Sequence, residues 1–288
     1  PTQHSVKGLL ENGVQPDILV LRTEKRLNKE IRKKVALFCN VDLESVVESV
    51  DVSTIYEVPL LMQKENLDVT AMRKLNLPLG QPPELKPWKH FVEKLKNPES
   101  EVNIALVGKY VELHDSYKSI LESLTHAGAS NISKVNVQCV HSERINSNNV
   151  NEKLEGYNGI IVAPGFGDRG IDGKILAVQY ARENRIPYFG ICLGMQVAVI
   201  EFARNMLGYQ DAHSTEMTRM TEHPVIDLME DQKGVTEKGG TMRLGAYPCD
   251  VKPGTIVSNI YHKEHISERH RHRYEFNNDY LDEFEKKG

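Results

Sequence analysis

The residue in this chain best suited to nucleophilic chemistry is Cys192. It stands in Gly190-Ile191-Cys192-Leu193-Gly194, between an apolar run that reads as a strand and an apolar stretch that reads as a helix. This is the cysteine form of G-x-S-x-G, a sharp strand-to-helix turn that holds a nucleophile up, with glycines where other side chains would clash. A helix N-terminus favours negative charge, so the expected effect is a thiol pushed toward thiolate. The Leu193 N–H lies where an oxyanion donor should be. Twenty-seven residues upstream, Gly165 sits in Pro164-Gly165-Phe166-Gly167, which closes another apolar run and offers a second backbone N–H. Arg169, in the same loop, reads equally as a surface charge or as a contact to an anion. Cys39, Cys139 and Cys249 have no such context and read as small hydrophobes.

The elements that must position these residues follow from periodicity. Val102–Val107, Lys134–Val140, Gly159–Ala163 and Pro187–Ile191 read as strands. Ser116–His126, Gly173–Asn184 and Leu193–Leu207 read as helices between or after them. This alternation predicts a doubly wound α/β domain, a parallel sheet with helices on both faces. Ligands then sit at the carboxyl ends of the strands, which singles out loops 108–116, 164–173 and 190–194. The first segment is simpler. It has one clear strand, Asp17–Arg22, and a helix over Asn28–Phe38 with Ile31, Val35 and Phe38 at helical spacing, and residues 41–76 read as mostly helical. Between the segments, Pro78, Pro82, Pro83, Pro87 and Pro98, five of 13 prolines, fall within 21 residues. Proline removes backbone donors and fixes φ, so residues 78–101 read as a linker, with Trp88 pinning it to a domain surface.

Composition narrows the class. The 288 residues carry 36 Lys plus Arg and 40 Asp plus Glu, a net charge of −4. That balance excludes an electrostatic grip on nucleic acid as the main activity. No 18-residue apolar run marks a membrane span. The four cysteines form no C-x-x-C pair, which argues against a disulfide scaffold and fits a reducing, cytoplasmic setting. Glu268-Arg269-His270-Arg271-His272-Arg273-Tyr274-Glu275 could be a basic patch or a His metal site. The flanking glutamates dilute the first reading, and the second has no third ligand at firm spacing. His223-Pro224 reads as a loop histidine.

Gly-Ile-Cys-Leu-Gly-Met-Gln at 190–196, after Pro-Gly-Phe-Gly at 164–167, resembles the class I glutamine amidotransferases. Other stretches are similar to the CTP synthase family: Pro1-Thr2-Gln3-His4-Ser5-Val6, Lys34–Asn40, Gly108–Leu113, Ser214-Thr215-Glu216, Gly239–Gly245 and Glu268–Glu275. The resemblance implies a flavodoxin-like glutaminase domain over residues 102–288, preceded at 1–77 by the C-terminal part of a P-loop-type α/β synthase domain. It implies that Cys192 attacks the amide carbon of glutamine, forms a glutamyl thioester and releases ammonia. Gly165 and Leu193 would line the oxyanion hole. Gly194, Met195, Gln196, Glu216 and Arg273 would hold glutamine, the last two with the charges an amino acid needs. Pro1, Thr2, Gln3 and Lys34 match positions for UTP and feedback-bound CTP, and Arg22 and Val52 lie where the adenine of ATP would be.

The reaction so implied is ATP-dependent amination of UTP to CTP, a ligase reaction of pyrimidine biosynthesis, with magnesium accompanying ATP, GTP as activator and a homotetramer as the assembly. The family's base, a His oriented by a Glu in a His-Pro-Glu motif, does not occur here, nor does a P-loop or its magnesium carboxylates. There is no initiator Met. The expectation is therefore a fragment lacking the start of the synthase domain and the end of the glutaminase domain, with no metal site of its own and inactive as it stands. The alternatives are another class I amidotransferase, such as a GMP synthetase, or a non-catalytic nucleotide-binding module.

Overall fold

A computed structural model of the chain describes residues 1–112, 114–229, 232 and 242–288. It divides into two compact units, one comprising residues 1–99 with 129–132, the other 100–128 with 133–288.

In the first unit, α1 (Thr2–Glu11) leads to β1 (Leu19–Thr23), α2 (Lys29–Cys39) and β2 (Val46–Val50). Asn28 caps α2, its side chain accepting from the Ile31 N–H at 2.8 Å, and Asn40 ends it in the left-handed region at φ +52. These are the start and stop residues such a helix uses. The strands pair in parallel, Leu19 opposite Val46 through Thr23 opposite Val50. Val6, Leu19 and Cys39 form the local core. The expectation that residues 41–76 are mostly helical misses β2. The spacing of Val46, Val47 and Val50 suits a helix, but pairing with β1 buries Val46 and Val47 completely, as a parallel strand requires. Two helices do follow, α3 (Val58–Lys64) and α4 (Leu67–Lys74).

Residues 78–101 are not all extended linker. They hold α5 (Lys86–Lys96), with Pro87 in its first turn, where a missing N–H costs nothing. Trp88 anchors this helix: its Nε1 donates to the Tyr56 carbonyl at 2.8 Å, and its ring packs against Tyr56 and Phe91.

The second unit opens with β3 (Ser100–Gly108), then α6 (Lys118–Ser130), β4 (Ser133–His141), α7 (Val150–Leu154), β5 (Gly159–Val162), α8 (Ile171–Glu183), β6 (Tyr188–Gly190) and α9 (Leu193–Phe202). All four strands are parallel, in the order β4-β3-β5-β6. Alternate side chains of β3 and β5 point to opposite layers. Ala105, Val107, Ile160 and Val162 pack with α8 and α9, while Leu106 and Ile161 pack with Tyr117 and α6. Helices thus cover both faces, as expected. The stretch read as one helix to Leu207 continues from α9 as a π-helical turn over Ala203–Leu207.

Beyond α9 lies a three-stranded sheet of β7 (His213–Ser214), β8 (Pro224–Leu228) and β11 (Tyr274–Phe276), in the order β11-β8-β7. A long antiparallel pair, β9 (Arg243–Asp250) and β10 (His265–His272), flanks α10 (Ile256–Tyr261), and α11 (Leu281–Lys287) follows. Among the described residues, no helix is long and apolar enough to cross a membrane.

Candidate active site

The elbow at Cys192 joins β6 to α9. Its backbone adopts φ +55 and ψ −106, a conformation that non-glycine residues rarely hold. Gly190 and Gly194 make the turn possible. A Cβ on Gly190 would come within 2.4 Å of the Gly194 backbone, and a Cβ on Gly194 within 2.2 Å of the Val162 carbonyl oxygen. Both contacts are with backbone, so neither can give way.

The Cys192 side chain is partly buried, and burial pushes its thiol up. A hydrogen bond from the Leu193 N–H and the charge of Lys174 act downward, and Glu216 acts upward. The net direction is up, against the expectation of a thiol lowered by the helix N-terminus. Desolvation in the packed elbow outweighs the backbone donor.

Cys192 opens onto a cavity of about 260 Å³ that also holds Gly165, Gln196, Glu216 and Arg273. Gly165, Cys192, Glu216 and Arg273 lie just past the ends of β5, β6, β7 and β10, and Gln196 lies in α9. Leu193 and Gly194 are buried in the first turn of α9, beneath the cavity. Met195 is exposed and lines an adjoining hollow with Cys192 and Gln196.

Several of the named side chains already have partners. Gln196 donates through Nε2 to the Tyr274 carbonyl at 3.1 Å. Arg273, buried, donates through Nη1 to Gln232 Oε1 at 2.7 Å. Glu216 Oε1 accepts from the Gly167 N–H at 3.4 Å. Arg169 pairs with Glu143 at 2.8 Å and lies over the Tyr110 ring, which favours the surface reading of that residue.

Sequence reasoning passed over Arg219, Met242, Arg271 and His272 as cavity-lining residues. Arg271 and His272 lay in the Arg-rich run, where their order gave no sign of which would turn inward. Alternation along β10 would put these neighbours on opposite faces, so it could not have named both. His272 Nε2 lies 2.9 Å from His270 Nδ1, and its Nδ1 lies 3.3 Å from the Tyr274 carbonyl oxygen. Burial and the neighbouring His270 push it down. His223 is held elsewhere, 2.6 Å from Asp211 and stacked on Tyr209.

In the first unit, Pro1, Thr2 and Arg22 line a cavity of about 490 Å³ over β1. Gln3 and Lys34 are exposed and Val52 half-buried, and none of the three lines it. Arg22 pairs with Asp51 at 2.9 Å. Leu113 and Gly239-Gly240-Thr241, parts of two motifs quoted above, lie outside the described residues.

This geometry, a strained cysteine at the end of a parallel strand beside a cavity with one carboxylate and several guanidinium groups, defines the class. The chain belongs to the class-I glutamine amidotransferases, whose family profile matches residues 112–288. The profile described as CTP synthase N-terminus matches residues 1–77. Among curated proteins, CTP synthase of Flavobacterium johnsoniae is 62% identical over 288 residues, covering 100% of this chain and 54% of the relative. CTP synthase of Cytophaga hutchinsonii is also 62% identical, with 53% of the relative covered. The chain thus spans about half the length of the curated relatives it matches. A solved glutaminase domain of Trypanosoma brucei CTPS, with bound acivicin, aligns at a TM-score of 0.60 and 40% identity, covering 65% of this chain and 72% of that one.

Proposed function

We propose that this chain supplies the glutamine-hydrolysing part, and a portion of the synthase part, of a CTP synthase. The observation that carries the reading is the Cys192 elbow facing the cavity shared by Glu216 and Arg273. Cys192 Sγ attacks the side-chain amide carbon of glutamine and forms a thioester as ammonia leaves. Water then releases glutamate. The Leu193 N–H, with the Gly165 turn opposite, receives the negative charge that develops on the carbonyl oxygen. Glu216 has the charge to bind the substrate ammonium and Arg273 the charge to bind its carboxylate. Gly194, Met195 and Gln196 shape the wall around the side chain.

Ammonia released at Cys192 is the nucleophile for UTP activated by ATP. Pro1, Thr2, Gln3 and Lys34 are proposed for UTP or CTP, and Arg22 and Val52 for ATP. GTP activation, feedback by CTP and a homotetramer belong to the same proposal. Magnesium would accompany ATP, but among the described residues no group of three or more His, Cys, Asp or Glu is placed to hold a metal ion.

The test is covalent trapping with a glutamine-analogue electrophile, followed by peptide mapping. Label on Cys192 alone is expected. Label on Cys39, Cys139 or Cys249 instead would overturn the assignment.

A further inference from the structure

Two lysines lie under the Ala163–Phe166 turn, and the reading above gives neither a role. Lys174, on α8, is fully buried, and its Nζ donates to the Ala163 carbonyl at 2.9 Å. Lys109, directly after β3, is buried as well, and its Nζ donates to the Phe166 carbonyl. The two acceptors bracket Pro164-Gly165. A Cβ built on Gly165 would lie 3.1 Å from Lys109 Cε and 3.5 Å from Lys174 Nζ, so the turn rests directly on both side chains.

Burying an ammonium is expensive unless something nearby gains from its charge. A Met at position 174 would fill similar volume without that cost. Among the described residues, the anion-forming group that favours the Lys174 charge is Cys192, not a carboxylate. The effect is mutual, since Lys174 acts to lower the Cys192 thiol. Burial and the nearby Lys109 push Lys174 down to about 8, which leaves the ammonium predominant at neutral pH.

We propose that Lys174, with Lys109 beside it, is a positioning residue for the chemistry at Cys192: it fixes the Ala163–Phe166 turn against the nucleophile and supplies positive charge that favours the thiolate and the developing oxyanion. This rests on the glutaminase reading and extends it. The charged and titratable groups facing Cys192 are Lys174 and Glu216, with Arg219, Arg271, His272 and Arg273 around the same cavity. Those facing Lys174 are Lys109 and Cys192. Glu216 opposes the thiolate from the open side, and the lysines oppose Glu216 from behind the turn.

Lys174→Met removes the charge and keeps the length. The rate of Cys192 alkylation by iodoacetamide, followed against pH in the full-length protein, reads the thiolate without any glutamine turnover. The midpoint of that profile is expected to move to higher pH in a variant that urea unfolding shows to be folded. Where the parent hydrolyses glutamine, kcat is expected to fall about 10- to 100-fold, as for a misplaced reacting group, with KM changed less. An unchanged alkylation profile in folded Lys174→Met overturns the proposal. If that variant does not fold, Lys174→Gln carries the same measurement with the same expected direction. An unchanged profile there, or loss of folding in both, overturns positioning in favour of a purely structural role. A shifted profile in a protein that hydrolyses no glutamine would remove the glutaminase reading and leave the lysine assignment standing.

Discussion

At Cys192 two requirements oppose each other. The thiol must be packed closely enough for the Leu193 N–H to reach it, and that packing strips the water a thiolate prefers. The backbone is strained as well, at a cost of about 1–3 kcal/mol for such a conformation. Gly194 shows how little slack remains. Gly194→Ala places a methyl against the Val162 carbonyl, and the expected loss is about 3 kcal/mol, the upper end of overpacking costs. Gly8→Ala, in α1 with open space around the position, is expected to be neutral or to stabilise by about 0.5–1 kcal/mol. Urea unfolding of the two variants checks the contrast. Equal effects would mean that the elbow relaxes more easily than its contacts indicate.

Among the elements, the loop from β7 to β8 is closed by one carboxylate. Asp211 faces His223 Nδ1 at 2.6 Å and accepts from the Glu222 N–H at 2.7 Å and from Thr221 Oγ1 at 3.2 Å. The His223 contact, first among these, holds the Asp211 carboxyl at about 2, below its ordinary 3.8. A carboxyl lowered on folding stabilises above its unfolded value, and that contribution fades as pH falls from about 4 toward 2. Asp211→Asn is therefore expected to lower Tm at pH 7 and to have little effect near pH 2. Thermal melts across that range check it, and an equal loss at both ends would contradict the electrostatic account. The parallel-sheet elements were legible because their apolar runs are short and bounded by turns. β2 was not, because Val46, Val47 and Val50 fit two periods and only pairing with β1 decides between them. The linker likewise hid α5, since Pro87 breaks a helix interior but suits a first turn.

For the molecule as a whole, the proposal divides two chemistries between two units, joined by the ammonia that passes from one to the other. Cys192→Ala removes a small, partly buried group and is expected to abolish glutamine-dependent CTP formation in the full-length protein while sparing synthesis from added ammonia. Loss of both, in a folded variant, would contradict the division. The cysteine and its glycines could be read from sequence because the elbow is local. Glu216 and Arg273 could be named only by resemblance, since β7 and β10 are far apart in the chain and the fold alone brings them to one cavity. Lys174 could not be singled out at all. In an amphipathic pattern a lysine marks the solvent side, and here α8 turns it inward.

The elbow glycines have a genetic corollary. Every change in the first or second base of a glycine codon yields a residue with a Cβ, or a stop. At Gly190 and Gly194 a Cβ strikes backbone, so each such change to another residue damages the turn, whatever its polarity or size. Silent third-base changes are the drift these two codons tolerate. A mutational library read out by growth should therefore leave gaps at these two positions as well as at Cys192, with more permissive ground at Ile191, which is only partly buried.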